Sequence, residues 1–498
     1  MNIDTFLGED CKKNFSDIMP IIRLILYHMD EGKKRGIFGY DDFCFPKHKI
    51  IKRVIWEYGK IRYFICRWRQ KGRKKEKENA VYLSDTILGI NRYESLLQEM
   101  DQECLIVASL TVNSCALHLL HIRHRIEREF FNKRTIDLGR TIIDESVKNS
   151  VDAIYDSFIE LCKYGRTCAD DKEKMFALFK TLQITVQERL NEIGEILIQN
   201  NINLFITINQ LNLSDVLIIM ACRKKGIRTK ELEHFSSCSV PISSVDEAWY
   251  GIDKIIGSEE NKKCYFPENQ SYKLKYTDEL CQWGESDVKY YKKYWKIFNM
   301  LDSKCTITNV GCPEITFKEV EKKMAKYSKR NSITLFVPSD VFYLGMGHRD
   351  VVTPSSIGEL KKRREELFRQ IKQLSIKENV SVYVKYHPTE PIEYINNEKS
   401  IIEELGYTLL SADREEFYKS LCYSRAVFGS GSSTLVVATI FGCKSYCIKF
   451  SSERYDFCGR NIEVISVNQI PEVYVPNIDE CCEMKGEECI NVKQLIQS

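Results

Sequence analysis

The stretch from Asn203 to Leu232 restricts the fold more than any other part of this chain. Asn203-Leu204-Phe205-Ile206-Thr207-Ile208 is an apolar run of strand length, followed by a turn at Asn209 to Asn212. Asp215 to Lys225 has helical spacing and stops at Gly226, a residue suited to the left-handed position after a helix. Ile227-Arg228-Thr229-Lys230-Glu231-Leu232 then returns as a strand. Strand, helix and strand in that order make a parallel βαβ unit, and such units build sheets covered by helices on both faces.

The same alternation recurs. Ala80 to Leu83 and Cys104 to Ala108 read as strands, and Arg123 to Asn200 is largely helical with a break at Gly165. A second series begins at Ile333 to Pro338, continues through a helix at Ile357 to Ile376, and reaches a strand at Val382 to Tyr386. Tyr407 to Leu410, Arg425 to Phe428 and Ser445 to Ile448 are further strands. Glu415 to Cys422 and Leu435 to Phe441 are helices between them. A chain of 498 residues is long for one core. The expected architecture is α/β, with two Rossmann-like domains facing each other across a cleft. Residues 1–78 form a helical, basic N-terminal region, and 79–317 an acceptor domain with a helical insertion. The charged stretch 318–330 is the crossing, 331–460 the nucleotide-donor domain, and 461–498 a tail.

Charge excludes some partners. Seventy-three Lys and Arg against 70 Asp and Glu give a net charge of +3, too small for a nucleic-acid footprint. The basic residues crowd into 46–78, where Trp56, Tyr58, Tyr63, Phe64 and Trp68 interleave with lysines and arginines. That mixture suits an element lying on an anionic membrane surface; it equally suits a helix that packs its aromatics inward and solvates its lysines. Neither a helix-turn-helix nor a zinc-finger context accompanies it, so no nucleic acid is expected. The 20 cysteines are scattered, often inside apolar runs, and Cys481, Cys482 and Cys489 lack a C-x-x-C pair. They read as free thiols in a reducing cytoplasm. There is no secretory signal and no apolar stretch of roughly 18 to 20 residues. A soluble protein, or one peripheral on the inner face of the cytoplasmic membrane, follows.

Two strand ends carry the chemistry. Lys385-Tyr386-His387-Pro388 puts an imidazole where a strand leaves its sheet, the edge at which open α/β sheets bind ligands. Gly429-Ser430-Gly431-Ser432-Ser433-Thr434 puts hydroxyls and backbone N–H groups at the mouth of a helix, where anions are favoured. With the order of elements between Asn203 and Phe450, these motifs resemble bacterial surface-polysaccharide glycosyltransferases of the His-Pro type, which have the GT-B fold. That group includes sialyltransferases and Kdo transferases, which use CMP-sugars, and glycerophosphotransferases, which use CDP-glycerol. The resemblance covers about half the chain.

The resemblance implies a nucleotide-sugar donor and a glycan or glycolipid acceptor. His387 and the hydroxyls of Ser432, Ser433 and Thr434 would grip the leaving nucleotide's phosphate, with Pro388, Lys385, Ser430 and Gly431 beside them. In the glycerophosphotransferases a His-Gly step supplies the base; here His234 stands in that place and Phe235 replaces the glycine. Sialyltransferases use an acidic triplet ending in Gly, and Asp30-Glu31-Gly32 lies in a region that reads as helical. The candidate bases are therefore His234, Glu233 and Asp85. Glu390 and Glu393 are candidates for ribose, or solvated helix starts. No Asp-x-Asp stands at a strand end, so neither metal nor cofactor is expected. The expected activity moves sialic acid or Kdo from a CMP donor to a surface glycan, in capsule or lipopolysaccharide synthesis. CDP-glycerol or UDP-sugar transfer, a non-hydrolysing UDP-sugar 2-epimerase, and a non-catalytic scaffold are the alternatives.

Overall fold

A computed structural model describes residues 13–30, 34–38, 80–84, 93–103, 105–109, 135–136, 143, 145–164, 169–208, 212–233, 236–239, 276–294, 305–327, 331–338, 354–387, 390, 392–411, 413–449, 455–480 and 485–497. Two parallel sheets organise them. The first joins β1 (Ala80–Leu83), β2 (Leu105–Ser109), β3 (Thr135–Ile136), β4 (Ile202–Thr207), β5 (Arg228–Leu232), β6 (Glu279–Gln282) and β7 (Thr306–Asn309) in the order β3-β2-β1-β4-β5-β6-β7. The second joins β8 (Ser332–Phe336), β9 (Ser381–Lys385), β10 (Thr408–Leu409), β11 (Ser424–Gly429), β12 (Lys444–Lys449) and β13 (Ile462–Ser466) in the order β10-β9-β8-β11-β12-β13. Each chain segment winds to one edge, returns beside its first strand and winds to the other. The direction reverses between β1 and β4 in one sheet and between β8 and β11 in the other, and a crevice opens at such a reversal. The α/β expectation holds in both halves.

Local signals explain the central βαβ unit. Asn212 accepts a hydrogen bond from the Asp215 N–H at 2.8 Å and starts the helix Leu213–Lys225. Gly226 ends it at φ 70°, and Arg223, Lys224 and Lys225 sit at the negative end of its dipole. The neighbouring helix Ala169–Gln199 buries Met175, Phe179, Leu182, Val186, Leu190, Ile193 and Leu197, a stripe at spacings of three and four. Both helices cover one face of the first sheet, around Tyr82 and Phe205. The opposite face, with Val81, Leu83, Leu204 and Ile206, is covered by Leu96, Leu97 and Met100.

Three expected boundaries change. Ile21, Ile22, Leu24 and Ile25 of the helix Met19–Asp30 lie in the same core as Phe205 and Leu217. Residues 15–30 and 34–38 are thus part of the first half, because an apolar helix face must be buried somewhere. The crossing stretch is the helix Phe317–Lys326, tied to the second half where Lys323, Lys326 and the Tyr327 hydroxyl converge on Glu415 at 2.8, 3.2 and 2.8 Å. Residues past 460 are no tail. They supply β13, and the chain then returns to the first half, where Cys312 donates its N–H to the Glu488 carbonyl at 2.8 Å. The helix Val492–Gln497 ends that return, with Val492 and Leu495 in the core beneath the first sheet.

That return crosses Gly311, whose φ is +84°. A Cβ there would lie 2.1 Å from the Cys489 carbonyl oxygen and 2.5 Å from its carbon. Gly311→Ala is expected to cost on the order of 3 kcal/mol and to speed hydrogen exchange across 488–497. Unchanged exchange there would show that the return strand does not depend on the glycine.

Glu415 predicts a pH dependence. Hydrogen bonds from Lys323, then Tyr327 and Lys326, pull its carboxyl down to about 2. Its folded value lies below the ordinary glutamate value of about 4.3, so its contribution is complete above that value and is lost as pH falls toward about 2. Because the carboxylate is 44% exposed, screening holds the effect below about 1 kcal/mol. Glu415→Gln should lower the melting temperature slightly at pH 7, and the gap should close by pH 2 to 3.

Candidate functional site

Parallel strands put all their carboxyl ends at one edge, so the two motifs must share that edge if both strands are as expected. They do. His387 follows β9 and is exposed, while Ser430 to Thr434 follow β11, and β8 alone lies between the two strands. Strands two apart are separated by about 10 Å.

The hydroxyl turn is built around a helix cap. Ser432 starts the helix Ser433–Ile440 in extended backbone, φ −149° and ψ 140°, and its Oγ accepts from the Thr434 N–H at 3.3 Å. The Thr434 hydroxyl also donates to Ser432 Oγ, at 2.8 Å, and the Leu435 N–H donates to the Ser432 carbonyl at 3.1 Å. Ser433 Oγ accepts from the Ser236 N–H of the first half at 2.9 Å. Both serine oxygens are therefore acceptors within the protein, and each keeps its own proton to donate outward. With the Ser433 N–H, which has no intrahelical partner, they form a cradle of donors at a helix N-terminus. Ser430 is buried.

Gly431 serves a contact between the halves. A Cβ there would sit 2.5 Å from the Ser239 carbonyl oxygen and 2.3 Å from Tyr455 Cε1, so only glycine lets the Ser236–Ser239 turn lie across it. Its N–H points to the Tyr455 hydroxyl at 3.4 Å.

The His-Pro turn is held from behind by an arginine. Arg364, on the helix Pro354–Lys377, donates to the Pro338 carbonyl at 2.7 Å and to the Glu390 carboxylate, and lies 3.5 Å from Glu398. All three charged side chains are buried. The Glu390 N–H in turn donates to the His387 carbonyl at 2.9 Å. Glu390 is thereby a support of the turn and not a ribose ligand, since its carboxylate is committed to Arg364. Glu393 is exposed in the first turn of its helix. Tyr386 donates to Glu398 at 2.6 Å, and burial, then the charge of Glu398, pushes its phenol up so that it keeps its proton.

Lys385 is redirected. Its ammonium is buried and donates to the Ser411 carbonyl at 2.6 Å, on the β10 side and away from β11. Burial lowers its pKa. It anchors the sheet edge and does not join the hydroxyl turn.

On the first half, Glu233 is buried at the end of β5. Its N–H donates to the Cys281 carbonyl at 3.0 Å and its carbonyl accepts from Trp283 Nε1 at 2.7 Å. Three residues later, Ser236 meets Ser433, so the exit of β5 adjoins the hydroxyl turn of the other half. His234, Asp85 and Pro388 lie outside the described residues, as do the basic segment 46–78 and Asn209. The residue before Asp85, Ser84, donates to Asp215 at 3.0 Å. Thr207 and Asn212 donate to the same carboxylate at 2.7 and 3.3 Å, at the strand reversal of the first sheet. Asp30 closes the helix Met19–Asp30, so no strand delivers the acidic triplet.

Sequence reasoning missed Ser236, Asp287 and Arg460, which together join the halves. Arg460, between β12 and β13, contacts Asp287 Oδ2 at 2.8 Å and donates to Ser236 Oγ at 2.9 Å. Asp287, in the first turn of the helix Glu285–Tyr294, accepts from Ser236 Oγ at 2.6 Å and from the Cys238 N–H at 2.9 Å. Burial alone would lower the Arg460 pKa, and the Asp287 carboxylate overturns that, so the guanidinium stays charged. A serine-rich turn after a strand, Ser236-Ser237-Cys238-Ser239, was the available signal for it.

Among the described residues no group of His, Cys, Asp and Glu is placed to hold a metal ion, and no helix is long and apolar enough to cross a membrane. The chain matches no family's sequence pattern and no curated protein. In structure it is similar to a UDP-GlcNAc 2-epimerase from Neisseria meningitidis bound to UDP-GlcNAc, at 10% identity over 84% of this chain and 97% of that one, with a TM-score of 0.43. It is also similar to a glycosyltransferase from Rickettsia africae, at 9% identity over 80% and 86% with a TM-score of 0.38. A lipopolysaccharide outer core galactosyltransferase matches at 10% identity over 84% and 93%, with a TM-score of 0.35. Likenesses below 0.5 decide nothing about chemistry, which rests here on the chain's own geometry.

Replacing Arg364 tests the support of the His-Pro turn. Arg364→Ala leaves two carboxylates buried without their cation and should cost about 3–5 kcal/mol in urea unfolding. A loss under about 1 kcal/mol would mean that Glu390 and Glu398 are held by something else.

Proposed function

We propose that this chain is a glycosyltransferase whose second half holds a nucleotide-activated sugar and whose first half presents the acceptor. The donor we favour is a CMP-activated sugar of the sialic acid or Kdo type, and the acceptor a surface glycan or glycolipid. One observation supports the reading: an exposed imidazole and a hydroxyl-bearing turn stand at the same carboxyl edge, with β8 alone between their strands.

In the proposed reaction the acceptor hydroxyl oxygen forms a bond to the anomeric carbon, and the bond from that carbon to the phosphate oxygen breaks. The electron pair leaves on the nucleotide's phosphate. Donors aimed at that oxygen stabilise the charge as it develops, and the protons of Ser432, Ser433 and His387 are suited to this. The proton of the acceptor hydroxyl goes to a base on the first half. Glu233 and His234 are the favoured candidates because the exit of β5 adjoins the donor turn through Ser236. Asp85, which follows Ser84 in the sequence, is a third.

Thermal-shift measurements with CMP, CDP, UDP and GDP test the reading. At a hundredfold excess over its Kd, a ligand that binds only the folded state adds about 2.7 kcal/mol, so the melting temperature should rise with CMP. His387→Ala and Ser432→Ala/Ser433→Ala should remove the shift while the proteins stay folded. A preference for UDP would end the cytidylate proposal, and UDP-GlcNAc converted to UDP-ManNAc without acceptor would replace transfer with epimerisation. No shift with any of the four would overturn nucleotide binding itself.

A further inference from the structure

The contact between the halves is not an apolar seam alone. Cys238, Trp283 and Tyr290 of the first half share a core with Leu435, Val436 and Phe441 of the second. Set into that core is a charged group of four: Arg460, Asp287, Ser236 and Glu488, whose carboxylate lies 3.4 Å from Arg460 Nε. Arg460 and Asp287 are 2% and 0% exposed. Gly284 makes room for them, since a Cβ there would be 2.5 Å from Arg460 Nη2.

This group acts on one particular turn. Asp287 takes both the Ser236 hydroxyl and the Cys238 N–H on a single oxygen, which fixes the turn Ser236–Ser239 at two points. Arg460 adds a third, donating to Ser236 Oγ. The turn so fixed does two things at the other half. Its Ser236 N–H donates to Ser433 Oγ, and its Ser239 carbonyl lies over Gly431. An oxygen that accepts from Ser236 must direct its own proton elsewhere, so the first half sets the direction in which the Ser433 hydroxyl donates.

We propose that Arg460 and Asp287 are positioning residues. They hold the Ser236–Ser239 turn so that the Ser433 hydroxyl is aimed at the phosphate of a bound nucleotide. This inference rests on the function proposed above for that turn. It places control of nucleotide affinity in a pair of buried charges that need not touch the ligand, one of them supplied by the opposite half. Because coupling is reciprocal, a nucleotide seated at Ser433 should also tighten the Ser236–Ser239 turn.

Two measurements on the full-length chain test this. The first needs no ligand: hydrogen exchange at the amides of 236–239 and 431–434 in the wild type and in Asp287→Asn. Faster exchange in both turns together is expected, and a change in neither, or in one alone, would overturn the linkage. The second is a double-mutant cycle on CMP affinity. Asp287→Asn should weaken CMP about tenfold in the wild-type background and have almost no further effect in Ser433→Ala. Equal losses in the two backgrounds would mean that the pair only stabilises the fold. Should Asp287→Asn fail to fold, Arg460→Met/Asp287→Leu removes both charges, avoids a lone buried one, and enters the same cycle. A wild type that binds no CMP would defeat the donor assignment, while the exchange measurement would still decide whether the pair links the turns.

Discussion

Arg460 is the group on which the arrangement of the two halves depends. A guanidinium that is 2% exposed has lost nearly all its hydration, and such a charge is tolerable only with partners already in place. Here the partners come from separate parts of the chain: Asp287 and Ser236 from the first half, Glu488 from the returning C-terminal segment. Moving Asp287 away would leave the guanidinium without its nearest counter-charge in a medium of low dielectric. Apolar packing around Trp283 and Leu435 can slide by small amounts at modest cost. A buried ion pair cannot, because separating its charges leaves both without solvent or partner. The relative setting of the β5 exit and the β11 exit is therefore specified by charge more sharply than by hydrophobic contact.

A common rule governs the carboxyl edges of both sheets. Turns that leave parallel strands carry backbone and side-chain polar groups with no ladder partner, and those that are buried must be satisfied by other side chains. Asp215 does this at the reversal in the first sheet, receiving Ser84, Thr207 and Asn212. Arg364 does it in the second, binding the Pro338 carbonyl and, through Glu390, fixing the His387 turn. Arg460 does it between the sheets. Each is a buried charged side chain whose partners lie in the turns that leave the strands.

Much of the fold could be read from the sequence because apolar runs and helix stops are local properties. The unit from Asn203 to Leu232, the stop at Gly226 and nearly all strands of the second half follow from such signals. β6 escaped notice because Glu279 sits in its four residues; the strand exists because Lys230 on β5 neutralises that charge at 2.7 Å. β13 escaped because only Ile462 and Ile465 of its five residues are buried, without a period-two pattern, and it lies at a sheet edge. The expectation of a separate tail failed for a related reason: docking of 488–497 depends on Gly311, nearly two hundred residues earlier. For the site, the two strand-end motifs were legible as types of residue at types of position. What they touch was not. Nothing in Lys361-Lys362-Arg363-Arg364 distinguishes the one arginine that is buried from its solvated neighbours.

The way these charges are used bears on how an anion would be held. Of the basic side chains described near this edge, Arg364 is spent on Glu390 and Glu398, Arg460 on Asp287 and Glu488, and Lys385 on a backbone carbonyl. The donors that the described hydroxyl turn itself carries are neutral ones: the hydroxyls of Ser432 and Ser433 and a helix N-terminus. Neutral donors bind less tightly than charge-assisted ones, roughly half as strongly for each bond. If the chain transfers sugar as proposed, such a cradle suits a nucleotide that must depart afterwards, since a cluster of guanidinium groups would hold the product. On the proposed reaction, His387 at the same carboxyl edge is the further donor toward the leaving oxygen.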